Sequence, residues 1–185
     1  MLIDDSYIVN EVRQDAETGF RLLLDKYQEP VYWHIRRLVV SHSDAQDALQ
    51  ETFIRAFTGL GKLRDSKTLP AWIYRIATNE ALRLIERRPD HSATVSLDAD
   101  DNNAQVLQSQ IAAGEYIDYS DLEAVKLQKA IQSLPPKQQA AFTLRYYNEF
   151  DYNTIAQIMA TSPQNVKANY HAAKEKIIKY IKTNF

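Results

Sequence analysis

The sequence predicts an all-α fold: two small helical domains joined by an acidic flexible linker, the second containing a helix-turn-helix. Three observations lead there. Apolar residues recur at helical spacing in every strongly patterned segment. No stretch alternates like a strand between hairpin turns, and the 185 residues include only four glycines. A central stretch is polar and acidic and lacks that spacing, as a linker would. With 45% of residues apolar, the flanking blocks can bury real cores.

The elements follow in order. Phe20, Leu23, Leu24, Tyr27 and Val31 make the apolar stripe of one helix. Leu49, Phe53, Ala56, Phe57 and Leu60 make the next, with Ser43 and Gln46 spaced as a capping box at its start. Trp72, Ile73, Ile76, Ala77 and Leu84 mark a third, opened by Pro70 in the first turn. Arg88-Pro89 ends this block, assigned to residues 1–89. Residues 90–121 read as the linker, with a short helix near Asn103 to Ala113. The second block, 122–185, opens with Leu127, Ile131 and Leu134 on one face, and Pro135-Pro136 ends that helix and starts another. A short helix holding Ile155, Ala156, Ile158 and Met159 then meets a tight break. Ser162 suits the N-cap of the helix after it and Pro163 its first turn. Val166, Tyr170, Ala173 and Ile177 form its buried stripe.

Composition narrows the function. There is no cysteine, which excludes disulfides and thiolate chemistry and suits a reducing compartment. The opening MLIDDSYIVNEVRQDAE has early acids and no apolar core segment, and no apolar run approaches a membrane span, so a cytoplasmic protein without a membrane span is expected. Net charge is −2, but Pro89 to Val125 holds eight acids and no base, while residues 126–185 hold nine bases and three acids. A basic C-terminal unit is thus masked by an acidic middle. No nucleophile–base pair, metal-ligand spacing or phosphate loop is present, so no catalytic residue, metal or cofactor is expected.

Two surfaces carry the functional signal. On or beside the face opposite the stripe of the last helix lie Gln164, Lys167, Ala168, His171 and Lys174, and Asn165 and Asn169 complete the candidate DNA-reading set. Amides can bond base edges, and lysines can neutralise phosphate or reach guanine. An ordinary helical hairpin with a solvated face is the competing reading. In "DAQDALQETFIRAF", Asp44, Asp47 and Glu51 fall within about 60° of one another on the helix, with Arg55 beside them. That acidic stripe is a solvated face, a metal-binding face or a docking surface for a basic partner.

"DAQDALQETFIRAF", "LPAWIYRIATNEALRLIERR", "LPPKQQAAFTLRYYNEFDYNTIAQIM" and "SPQNVKANYHAAKEKI" together resemble, in this order, the bacterial sigma factors of the extracytoplasmic-function (ECF) group, which keep only regions 2 and 4. The resemblance implies that this chain directs core RNA polymerase to promoters and has no catalytic activity of its own. It implies that Asp44, Asp47, Gln50, Glu51 and Arg55 face the polymerase clamp helices. Lys62, Arg64, Lys67 and Thr68, with Arg75, Asn79, Arg83, Arg87 and Arg88, would open and hold promoter DNA at the −10 element. Trp72 and Tyr74 would lie near the flipped base, Trp72 as packed support. The last helix would read the −35 element, and an anti-sigma protein is an implied further partner. Gln164-Asn165 stands where Gly-Thr is common in the family, and Ala172 where arginine is, so family base preferences do not carry over. A stand-alone helix-turn-helix regulator is the alternative, though it leaves the acidic stripe without a role.

The linker has a length to match. About 35 flexible residues span roughly 33 Å on average, whereas the two promoter elements lie about two helical turns, near 70 Å, apart. The acidic segment is therefore expected to be drawn out by its partner, with Asp98, Asp100 and Asp101 engaging a basic polymerase channel.

Overall fold

The computed structural model describes residues 3–87 and 122–185. The acidic linker, the short helix expected within it, Asp98, Asp100, Asp101 and Arg88 lie outside the described residues.

Among the described residues the secondary structure is helical throughout, with no strand. Asp4 and Asp15 cap α1 (Asp5–Gln14) and α2 (Ala16–Leu38), each accepting from a backbone N–H of the first turn. α3 spans His42–Leu60. Its cap is Ser41, whose hydroxyl accepts from the Asp44 N–H, so the expected box at Ser43 is displaced by two residues. The Ser43 hydroxyl instead pairs with that of Ser41 at 2.7 Å. A single 3-10 turn, Ser66–Thr68, leads into α4 (Leu69–Glu86), with Pro70 in the first turn as expected. The second unit comprises α5 (Leu122–Gln132), α6 (Pro136–Tyr146), α7 (Tyr152–Met159) and α8 (Pro163–Asn184).

The break between α7 and α8 is made by Ala160, at φ 51°, and by Ser162, which accepts from Asn165 N–H. An alanine closes α7 in the left-handed conformation that favours glycine. Sequence spacing locates this break, but not the residue that turns it.

In the first unit, Ile8, Val9 and Val12 of α1 join a core with Leu23, Tyr27, Val31 and Ile35 of α2, Phe53 and Ala56 of α3, and Ile73, Ala77 and Ala81 of α4. Helices α3 and α4 come close at Gly59, where an added Cβ would sit 3.0 Å from Trp72 Cζ2. Trp72 is half-buried there, packed as expected. Tyr74 departs from expectation: it is buried and turned toward the second unit.

The two units are not separate bodies. Leu144, Ile155, Ala156, Ile158 and Val166 belong to the same core as the first unit, with α7 seated on α4 and α6 on α2. A smaller core of Ala130, Ile131, Leu134, Phe142, Ala173 and Ile177 holds the second unit together on its other side. Linker composition carries no information about this arrangement.

Candidate nucleic-acid interface

The outer face of α8 is built by the register of its buried stripe. Val166, Ala173 and Ile177 point inward, so Gln164, Asn165, Lys167, Ala168, His171 and Lys174 are exposed and Asn169 is half-buried. The face is partly pre-ordered. Asn169 Nδ2 donates to the Asn165 carbonyl at 2.9 Å, and Asn165 Nδ2 to Thr161 Oγ1 at 3.2 Å. Lys174 Nζ lies over the Tyr170 ring, which stacks on Phe142. Gln164, Lys167 and His171 present polar atoms to solvent beside this braced pair.

A second basic surface runs along the loop before α4 and over its outer face. Lys62, Arg64, Lys67 and Thr68 are exposed in the loop; Arg75, Asn79 and Arg83 follow one row of α4, and Arg87 lies just past its end. The Asp65 side chain caps the 3-10 turn through Lys67 N–H, and Thr68 donates its hydroxyl to the Asp65 carbonyl. From outside the loop, Arg13 of α1 donates to the Arg64 carbonyl at 3.1 Å. Glu80, buried in this row, holds Arg83 at 3.1 Å and Arg55 of α3 at 2.9 Å. The Arg13–Arg64 and Glu80–Arg55 contacts do not show themselves in the sequence, because the fold brings these residues together, whereas the Glu80–Arg83 pair is an i,i+3 spacing on one helix.

The acidic stripe of α3 divides. Asp47 and Gln50 line an open groove of about 860 Å³ between α2 and α3. Glu51 and Arg55 pair with each other at 2.9 Å and turn toward α4, and Asp44 is half-buried near the start of the helix. The groove has an apolar lining from Phe20 and Leu24 of α2 and Phe53, Ile54 and Phe57 of α3. Phe57, assigned to the packed stripe by its spacing, is exposed and meets Phe20 edge-on at 5.0 Å. Ile54 is exposed beside it. A helical wheel cannot separate the lip of a groove from a core, so the apolar half of this surface was not legible. Among the described residues, no group of three His, Asp or Glu side chains could hold a metal ion, and no helix is long and apolar enough to cross a membrane.

Residues 23–89 match the family described as Sigma-70 region 2, and residues 124–177 match Sigma-70, region 4. The chain is also 32% identical over 178 residues to the RNA polymerase sigma-H factor of Pseudomonas aeruginosa, covering 95% of this chain and 92% of that one. It is 30% identical over 178 residues to the ECF RNA polymerase sigma-E factor of Escherichia coli, covering 95% and 93%. The chain belongs to the ECF sigma factors. As such it is an RNA polymerase sigma factor that serves transcription initiation. The fold of this sigma factor is also that of a solved structure, the sigma factor RpoE in complex with the anti-sigma factor NepR from Bartonella quintana. That likeness has a TM-score of 0.64 at 19% identity and covers 90% of this chain and 98% of the other.

Proposed function

We propose that this sigma factor divides its work as two basic readers and one apolar docking groove. Residues 1–89 act as region 2, residues 90–121 as the tether and residues 122–185 as region 4. The groove between α2 and α3, edged by Asp47 and Gln50, receives the clamp helices of core RNA polymerase, and Asp44, Glu51 and Arg55 flank the contact. The row of Arg75, Asn79, Arg83 and Arg87, continued by Arg88, holds the −10 strand together with Lys62, Arg64, Lys67 and Thr68. The α8 face from Gln164 to Lys174 reads the −35 element.

The observation that carries this reading is one chain combining an exposed apolar groove with two separate exposed rows of bases and amides. A stand-alone repressor needs only the α8 face. The chemistry belongs to the polymerase, so the chain is not an enzyme, and its place of work is the cytoplasm. The solved relative is in complex with an anti-sigma factor; a protein of that kind would hold this chain inactive by covering the groove.

Capture of bacterial core polymerase by the purified chain, followed by transcription from a randomised promoter library, tests the proposal. Promoter binding should be weak and salt-sensitive for the chain alone and tight with core present, because each reader contributes little unless the polymerase fixes their separation. Tight, sequence-specific binding without core, and no core complex, would instead establish the stand-alone regulator.

A further inference from the structure

Thr161 lies in the break before α8, and Asn165 and Asn169 follow it at four-residue spacing along one edge of that helix. The three side chains form a ladder. Asn165 Nδ2 donates to Thr161 Oγ1 at 3.2 Å, and Asn169 Nδ2 donates to the Asn165 carbonyl at 2.9 Å. Both amide nitrogens are therefore held back toward the start of the helix. Each amide oxygen is left without a hydrogen-bond partner among the described residues, and such an oxygen can only accept. The backbone at Asn165 is fixed as well, because its N–H donates to the Ser162 cap at 3.2 Å. The neighbouring Gln164 differs. Its side chain makes no hydrogen bond among the described residues, so its amide can turn either way. Lys167 and Lys174 lie across the exposed face, on its other edge.

Resting on the −35 role proposed for α8, we infer that this ladder selects bases that carry an exocyclic amine: the promoter positions it faces hold adenine or cytosine and exclude guanine and thymine. The N-terminal residues of a recognition helix are the ones that meet base edges. In the major groove only adenine N6 and cytosine N4 offer a donor, while guanine O6 and N7 and thymine O4 accept. An amide oxygen set against O6 or O4 leaves two acceptors facing each other with no proton between them. Phosphate oxygens also only accept, so the ladder is equally unsuited to the DNA backbone, a contact that Lys167 and Lys174 can make instead. The second N–H of each amide can still donate to adenine N7, so adenine should be taken at least as well as cytosine. Thr161 acts through Asn165. It is a positioning residue, which keeps the amide from turning its nitrogen outward and accepting guanine or thymine. Gln164 has no such brace and should choose its base less sharply.

Transcription from promoters randomised across the −35 element, with core polymerase and the full chain, reads the choice base by base. The positions facing the ladder are those whose base frequencies move in Asn165→Ala and Asn169→Ala. Wild type should favour adenine or cytosine there by at least about fivefold over guanine or thymine. Thr161→Val keeps the side-chain shape and removes the acceptor, and should bring the four bases near parity at the Asn165 position alone. Thr161→Ser keeps the hydroxyl and should choose as wild type does. Asn165→Asp keeps an acceptor and can itself accept from the Thr161 hydroxyl, so the preference should survive while overall promoter affinity falls. Guanine or thymine enriched at those positions, no position moving in either alanine variant, or a Thr161→Val choice identical to that of wild type overturns the inference. The three side chains are exposed or half-buried, so urea midpoints should stay close to that of wild type. Should an alanine variant fail to fold, the contrast between Thr161→Val and Thr161→Ser decides. If core polymerase is not captured at all, the sigma-factor roles fail separately. Selection of the same library by the full chain at low salt then reads the ladder, with adenine or cytosine expected and guanine or thymine overturning it.

Discussion

Arg55 of α3 and Glu80 of α4 meet at 2.9 Å, joining the helix that edges the apolar groove to the helix that carries the basic row. Glu80 also holds Arg83, so one buried carboxylate orients two arginines from different helices. Glu80→Gln should cost about 1 kcal/mol in urea unfolding, since both arginines are half-exposed and screened by water. Promoter opening should fall more than stability does, and open-complex assays beside equilibrium unfolding would separate the two.

The groove makes the opposite separation. Ile54 and Phe57 are already about half exposed, so Ile54→Asp with Phe57→Ser should change stability by less than about 1 kcal/mol. Apolar residues central to an interface can carry much of its binding energy, and polymerase affinity should drop at least about tenfold. Unfolding midpoints and core-binding titrations on the same variant give the comparison.

Arg13 lies before the segment matched by the region 2 family, yet it ties α1 to the basic loop through the Arg64 carbonyl. Arg13→Ala should leave stability and core binding nearly unchanged and slow open-complex formation severalfold at −10. An unchanged rate would show that the loop keeps its shape without this support.

Burial pushes His34 down to about 4; nearby Arg37 adds to the effect, and the Asn148 hydrogen bond partly opposes it. Besides Arg37, the groups facing the ring are Tyr74, Thr78 and Asn148, none of them charged at neutral pH. Freed into water, His34 would titrate near its ordinary 6.5. The folded state favours the neutral ring, so the stability it contributes is complete above pH 6.5 and is lost as pH falls toward 4. The loss should reach about 2 kcal/mol by pH 5. Urea midpoints between pH 7.5 and 5 should show this, and His34→Gln should flatten the dependence.

How much of this was legible depended on whether a signal was local. The α8 register follows from Ser162, Pro163 and the stripe from Val166 to Ile177, all within one helix. Ser41 was missed as a cap because Ser43 offers the same hydroxyl two residues later, and only the backbone path decides between them. His34 carried a faint signal: it continues the buried stripe of Leu23, Tyr27 and Val31, so a polar side chain stood where an apolar one was due. Its partner, Asn148, is 114 residues away, and no periodicity links positions so distant. The seating of α7 on α4 was hidden for the same reason. Ile155 and Ile158 look like the inner face of a hairpin whichever surface they cover.

That shared core leaves an oily liability. Whenever the units part, Ile155, Ala156, Ile158 and the α4 surface opposite them lose their cover together, baring apolar patches on both units of one molecule. Chains whose units have parted should therefore stick to one another, and solubility should worsen under any change that weakens the contact between the units.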